Sequence, residues 1–226
     1  LPVTMEEMLT FVAAVCRATE RAFVVADMPF LSYQVSSEEA IRNAGRFLAQ
    51  GGADAVKLEG GARVAPTIAA IVGAGIPVVG HIGLTPQSAG QLGGYRAQGR
   101  SAEAALALVD DAVALEEAGA FAILVECVPT EVTELIRERL RIPVYGLGSG
   151  AACDGQLMIV HDLLGLFDRF TPKFVKRYAN LAEILVQAFT EFRADVKTGA
   201  YPGPEHGYAM REGEPARLRK LVRRSA

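Results

Sequence analysis

Four stretches of this chain repeat one pattern: GADAVKLEG from Gly52, AGIPVVGHIG from Ala74, AGAFAILVEC from Ala118 and RIPVYGLGSG from Arg141. Each runs through a short apolar segment and puts a polar or charged residue or glycines at its end, and the first three open on Gly and Ala. An apolar run without polar alternation belongs to a strand covered on both faces, the condition of a parallel sheet flanked by helices. FVVADM from Phe23 and QLMIV from Gln156 extend the set to six expected strands.

The segments between them carry apolar residues three and four apart, a helical period: SSEEAIRNAGRFLAQGG, GARVAPTIAAIVGAG, SAEAALALVDDAVALEEAGA and TEVTELIRERL. Ser36 or Ser37 and Ser101 stand as N-caps ahead of acidic first turns, and Gly51 and Gly119 stand as stops. The opening LPVTMEEMLTFVAAVCRATE is a helix with no strand before it. From Pro172, PKFVKRYANLAEILVQAFTEFRADVKTGAYPGPEHGYAM reads as one long helix and then a Pro- and Gly-rich turn, with His206 a surface or interface histidine.

The strand ends bear on the architecture. Asp27, Lys57, Glu59, His81, Glu126 and the glycines of residues 146–150 all fall at C-terminal ends. A closed barrel brings such ends to one face, whereas a doubly wound sheet spreads them along an edge and carries GxGxxG after its first strand, a motif absent here. The expectation is an α/β protein, a (β/α)8 TIM barrel in one domain over 1–226. Barrel units three to eight fill about 1–172, and a C-terminal helix and tail fill 173–226. Six strands against eight, an apolar start and no initiating Met lead to the expectation that the first two βα units are absent from this sequence.

Half of the 226 residues are hydrophobic and 22% are charged, which supplies a sizeable core and excludes a disordered or fibrous chain. The net charge of −3 offers no global attraction to nucleic acid or to an anionic membrane, so neither is expected as a partner. The basic run RLRKLVRR from Arg217 reads as a solvated helix end. No stretch reaches the roughly 18 to 20 apolar residues of a membrane span, and no signal-peptide pattern opens the chain, so a cytoplasmic enzyme or binding protein is expected. Cys16, Cys127 and Cys153 lie far apart without CxxC spacing, and His81, His161 and His206 without HxH or HxxxH, which points to reduced thiols and away from a histidine-rich metal site.

Asp27 and Glu59 end neighbouring strands. Two carboxylates facing one mouth repel unless a cation lies between them, and hard oxygen donors of this kind suit Mg²⁺. The alternative for Asp27 is a helix cap or a salt bridge to Lys57. Lys57 and Glu59 are two apart and share a face, which makes Lys57 a positioned cation for a substrate carboxylate or carbonyl. Glu126 ends FAILVE, where apolar neighbours raise a carboxyl's pKa and suit it to acid–base work; the alternative is a structural Glu bonded to amides at the head of PTEVTE. Cys127 beside it lacks a histidine partner and reads as packing. His81 opens GHIGLTPQSAGQLGGYRAQGR, a connection far longer than a plain turn and so a candidate cover for a site, with Arg96 and Arg100 expected to anchor it.

ADMPF, AVKLEGG, GHIGLTPQSAGQLGGYRAQGR, LVECVP and GLGSGAACDGQ, in this order, resemble the ketopantoate hydroxymethyltransferase family, and the resemblance runs from LPVTMEEML to YPGPEHGY. It implies a (β/α)8 barrel, homo-oligomeric assembly up to a decamer, and transfer of a hydroxymethyl group from 5,10-methylenetetrahydrofolate to 3-methyl-2-oxobutanoate in pantothenate synthesis. It also implies Mg²⁺ at Asp27 and Glu59, keto acid contacts from Asp27, Lys57 and His81, and Glu126 as catalytic base. Family members carry two βα units before LPVT, with an Asp–Ser pair that adds a metal ligand. The competing expectations are another Mg²⁺-dependent keto acid enzyme of the phosphoenolpyruvate mutase and isocitrate lyase group, whose catalytic cysteine loop is not visible, and an inactive truncated barrel subunit.

Overall fold

A computed structural model describes residues 1–224. Its contacts fall into two compact units, Leu1–Ile159 with Pro172–Val175, and the remainder. The first unit holds β1 (Val25–Asp27), β2 (Ala55–Glu59), β3 (Val78–Gly83), β4 (Ala122–Glu126), β5 (Val144–Leu147) and β6 (Gly155–Gln156). All pairings are parallel and the strand order is the chain order. Helices α1 (Met5–Ala18), α2 (Ser37–Ala49), α3 (Ala65–Gly73), α4 (Ala102–Glu117) and α5 (Thr130–Arg139) surround these strands, and α2 to α5 connect them. A sheet wound in one direction without reversal has no switch point, so the doubly wound alternative falls away and the six strands form a curled half-barrel.

Strand side chains alternate between two faces. Ala26, Val56, Leu58, Val78, Ile82, Ile123, Val125 and Val144 join Phe47, Ile68, Ile71, Leu115 and Ile136 of the helices in one core. Each large side chain fully buried there contributes about 1.5–3 kcal/mol. The intervening residues form the other face: Asp27, Lys57, Glu59, His81 and Glu126 beside a small apolar cluster of Val79, Ala122, Leu124 and Leu147. The polar residues thus follow from strand phase: whatever does not enter the helix-side core faces inward.

The expected caps are present. Ser36 Oγ accepts the Glu39 amide, Ser101 Oγ accepts the Ala104 amide, and Thr4 and Glu7 close a capping box on α1. Three further carboxylates tie down the starts of strands. Asp54 accepts the Val24 amide, Glu116 accepts those of Arg141 and Ile142, and Asp154 accepts that of Val144. These acids sit at the N-terminal ends of the strands, away from the inward-facing cluster.

Three boundaries depart from expectation. QLMIV contributes only Gln156 to a strand, because the Leu157 amide bonds back to Gly146 and a short helix, α6 (Val160–Leu163), begins soon after. The helix pattern after Pro172 becomes α7 (Leu181–Thr198), because residues 172–175 first turn back so that Phe174 packs on the inward-facing apolar cluster. The helix of residues 61–75 begins with a 3-10 turn, Ala62–Val64, before α3.

In the second unit α7 ends at Gly199 in the left-handed conformation, and Phe192, Tyr201 and His206 form a chain of ring contacts. The run RLRKLVRR lies in α8 (Glu214–Arg224), which buries none of its side chains. No helix among the described residues is long and apolar enough to cross a membrane.

Candidate active site

β1 and β2 place Asp27 opposite Lys57, and β2 and β3 place Glu59 opposite His81. Lys57 Nζ is 2.8 Å from Asp27 Oδ1, 3.7 Å from Glu59 Oε1 and 3.2 Å from His81 Nδ1. An ammonium group only donates, so Nδ1 must accept and the imidazole proton resides on Nε2. That nitrogen lies 3.2 Å from Glu126 Oε2. The five residues singled out from the sequence therefore form one continuous set.

Glu59 and His81 are almost completely buried, at 4% and 2% side-chain exposure, so their charge states answer to desolvation. Burial holds the Glu59 carboxyl above its ordinary range, opposed chiefly by the charge of Lys57. Burial and then Lys57 push His81 down to about 3, so the ring is neutral at physiological pH and its approach to Glu126 is not an ion pair. Burial also raises Glu126, to about 7, against the pull of Lys57. A carboxyl that titrates there is matched to proton transfer near neutrality.

The alternatives for these residues resolve individually. Asp27 does make the ion pair with Lys57, yet Oδ1, which is shielded from solvent, receives no well-directed hydrogen bond. The Glu126 carboxylate takes no amide from the head of α5, whose N-terminus has no side-chain cap. Cys127 turns the chain immediately after Glu126 at φ 51°, a conformation uncommon for a side chain with a Cβ. Its amide bonds to Leu147 and its carbonyl to Gln98, and burial pushes the thiol up to about 11, so it is an inert turn residue.

Gly83, the register partner of Glu126, has φ 90°, and a Cβ there would collide with the Glu126 carbonyl. The long loop after β3 is fastened by Gln87. Its amide N–H donates to Glu59 Oε2 at 2.8 Å and its side chain reaches the Met28 carbonyl and the Tyr33 hydroxyl. Arg96 and Arg100, expected to anchor this loop, do not: neither guanidinium takes a hydrogen bond or ion pair among the described residues. Tyr33 and Gln87 escaped the sequence reading because a side-chain bridge between two loops leaves no periodic or spacing signal.

Asp27 Oδ1 and the Glu59 carboxylate are hard oxygen donors on one face. Among the described residues no group of three or more His, Cys, Asp or Glu side chains is placed to hold a metal. The set fits an ion such as Mg²⁺, which takes one or two carboxylates and completes its shell with water and substrate oxygens.

The family model of ketopantoate hydroxymethyltransferase matches residues 1–204. The 3-methyl-2-oxobutanoate hydroxymethyltransferase of Syntrophobacter fumaroxidans is 53% identical over 221 residues, covering 98% of this chain and 78% of that protein. The enzyme of the same name from Moorella thermoacetica is 57% identical over 208 residues, covering 92% and 77%. Among solved structures, phosphonopyruvate hydrolase superposes with a TM-score of 0.53 at 16% identity over 99% of this chain and 77% of its own, a likeness of fold alone. The half-barrel, its inward-facing acid–base set and these relatives agree: the chain belongs to the ketopantoate hydroxymethyltransferase family and is a transferase.

Proposed function

We propose that this protein transfers a hydroxymethyl group from 5,10-methylenetetrahydrofolate to 3-methyl-2-oxobutanoate, giving 2-dehydropantoate for pantothenate and coenzyme A synthesis. The observation that carries the chemistry is Glu126, a carboxyl raised to about 7 at a strand end beside a neutral histidine. The names of the relatives supply the substrate. The six-stranded half-barrel is read as the family's (β/α)8 fold with six of its strands in this chain. The setting proposed is the cytoplasm, in a homo-oligomer, with small molecules as the only substrates and neither nucleic acid nor membrane as a partner.

Asp27 and Glu59 would hold Mg²⁺, which when bound polarises the keto acid's carbonyl as a Lewis acid. Lys57 offsets the charge of the two carboxylates and reaches toward the substrate carboxylate. The ionised Glu126 takes the proton from C3 of the keto acid, whose electron pair delocalises toward the 2-keto oxygen. That carbon then bonds to the folate's methylene carbon, both of whose C–N bonds break: water supplies the hydroxyl, and its second proton and the one taken up by Glu126 go to N5 and N10. Overall one water is consumed, C3 gains CH₂OH, and free tetrahydrofolate leaves. The His81 Nε2–H lies 3.2 Å from Glu126 without a well-directed hydrogen bond to it, so the neutral ring borders the base without neutralising it.

Exchange of the C3 proton of 3-methyl-2-oxobutanoate for solvent deuterium, followed by proton NMR with and without Mg²⁺, tests the first step. Mg²⁺-dependent exchange that Glu126→Ala abolishes is the expected result. No exchange by the full chain, or exchange unaffected by that substitution, would overturn the reading.

A further inference from the structure

Resting on that reading, we propose that Gln87 is a positioning residue: with Tyr33 it fixes which way the Glu59 carboxylate presents its oxygens to the keto acid site. The chain of contacts is closed. The Glu59 amide donates to the Tyr33 hydroxyl at 3.2 Å, and that hydroxyl donates to Gln87 Oε1 at 2.9 Å. Gln87 Nε2 donates to the Met28 carbonyl at 2.8 Å, and the Gln87 main-chain amide donates to Glu59 Oε2 at 2.8 Å.

The consequence lies in the other oxygen. With Oε2 held by the loop amide, Oε1 faces the cation side, 3.7 Å from Lys57 Nζ and 3.8 Å from His81 Nδ1. Met28 directly follows Asp27, so the same amide side chain that holds the loop also holds the residue next to the other carboxylate. Tyr33 and Glu59 are buried at 2% and 4% exposure and Gln87 is half-buried, so breaking these bonds leaves polar groups of the core side without a ready partner. One loop residue therefore couples the ends of β1 and β2 across the mouth. Gln34 Nε2 also touches Gln87 Oε1, at 3.2 Å, but from the exposed side, where water can replace it.

The test compares Gln87→Ala, Tyr33→Phe, their double variant and Gln34→Ala with the full wild-type chain. Binding of Mn²⁺ in the presence of 3-methyl-2-oxobutanoate is read by electron paramagnetic resonance, which needs no turnover. Gln87→Ala removes the side-chain bonds to the Met28 carbonyl and from the Tyr33 hydroxyl and so unfastens the main-chain amide on Glu59 Oε2, which predicts binding weaker by about tenfold; Tyr33→Phe keeps the Met28 bond and predicts about threefold or more. The double variant should be no weaker than Gln87→Ala, because the two residues act as one unit, and Gln34→Ala should match wild type. KM for the keto acid should rise more than kcat falls. Tyr33→Phe keeps the ring in the core, so its melting temperature serves as the check on folding.

Wild-type affinity in Gln87→Ala and Tyr33→Phe, or equal weakening in Gln34→Ala, overturns the positioning role while leaving the proposed reaction intact. Failure of the wild-type chain to bind Mn²⁺ and keto acid together overturns the proposed reaction itself, and the positioning role with it.

Discussion

His81 Nε2 lies 3.2 Å from Glu126 Oε2, on strands whose register pairs Gly83, not His81, with Glu126. The imidazole therefore reaches forward along the sheet to the base, and its Nδ1 reaches back to Lys57. A neutral ring in this place transmits the lysine's orientation without adding charge next to Glu126.

Glu126→Gln keeps the shape of the side chain and removes the base. Deuterium exchange at C3 of the keto acid should fall by about 10²–10⁴-fold, the usual contribution of a general base, while keto acid affinity changes little. Exchange rates by NMR and binding by calorimetry check the two halves separately.

The raised Glu126 carboxyl also sets pH dependence. Its ionised form is the active one, so kcat/KM should rise with pH through about 7 and then level off on this limb. Stability runs the other way. Between the unfolded value near 4.5 and about 7 the folded state holds the proton and the unfolded state does not, so stability falls as pH rises through that window. Glu126→Gln should match wild type at pH 4 and be the more stable at pH 8, by up to about 3 kcal/mol in chemical denaturation.

Lys57→Met leaves Asp27 and Glu59 without their shared counter-charge. The fold should lose about 2 kcal/mol, less than a fully buried pair because Asp27 is half exposed, and KM for the keto acid should rise steeply. Added Mg²⁺ should raise the melting temperature of Lys57→Met more than that of wild type, since a divalent ion can replace the missing charge. Thermal melts with and without Mg²⁺ decide this.

Gly83→Ala places a Cβ against the Glu126 carbonyl at a backbone angle that disfavours it. Destabilisation of about 2 kcal/mol or more is expected, with lost exchange activity as β3 and β4 separate at the base. Denaturation curves and exchange assays on the same preparation check both.

The sequence by itself determined the alternation of strand and helix, the caps at Ser36 or Ser37 and at Ser101, and the strand-end positions of Asp27, Lys57, Glu59, His81 and Glu126. These follow from local periodicity and turn chemistry, which the chain carries wherever it folds. Cross-strand register is not local, and it alone decided that Lys57 contacts three of those side chains and that His81 bridges Lys57 to Glu126. Tertiary packing likewise turned residues 172–175 back onto the inward-facing cluster where the sequence pattern implied a continuous helix, and it gave the loop's anchoring to Gln87 and not to Arg96 or Arg100. The physical reason is common to these cases. A charge state is set by burial, and a hydrogen bond by the partner that folding brings within reach, and neither is encoded in the spacing of residues along the chain.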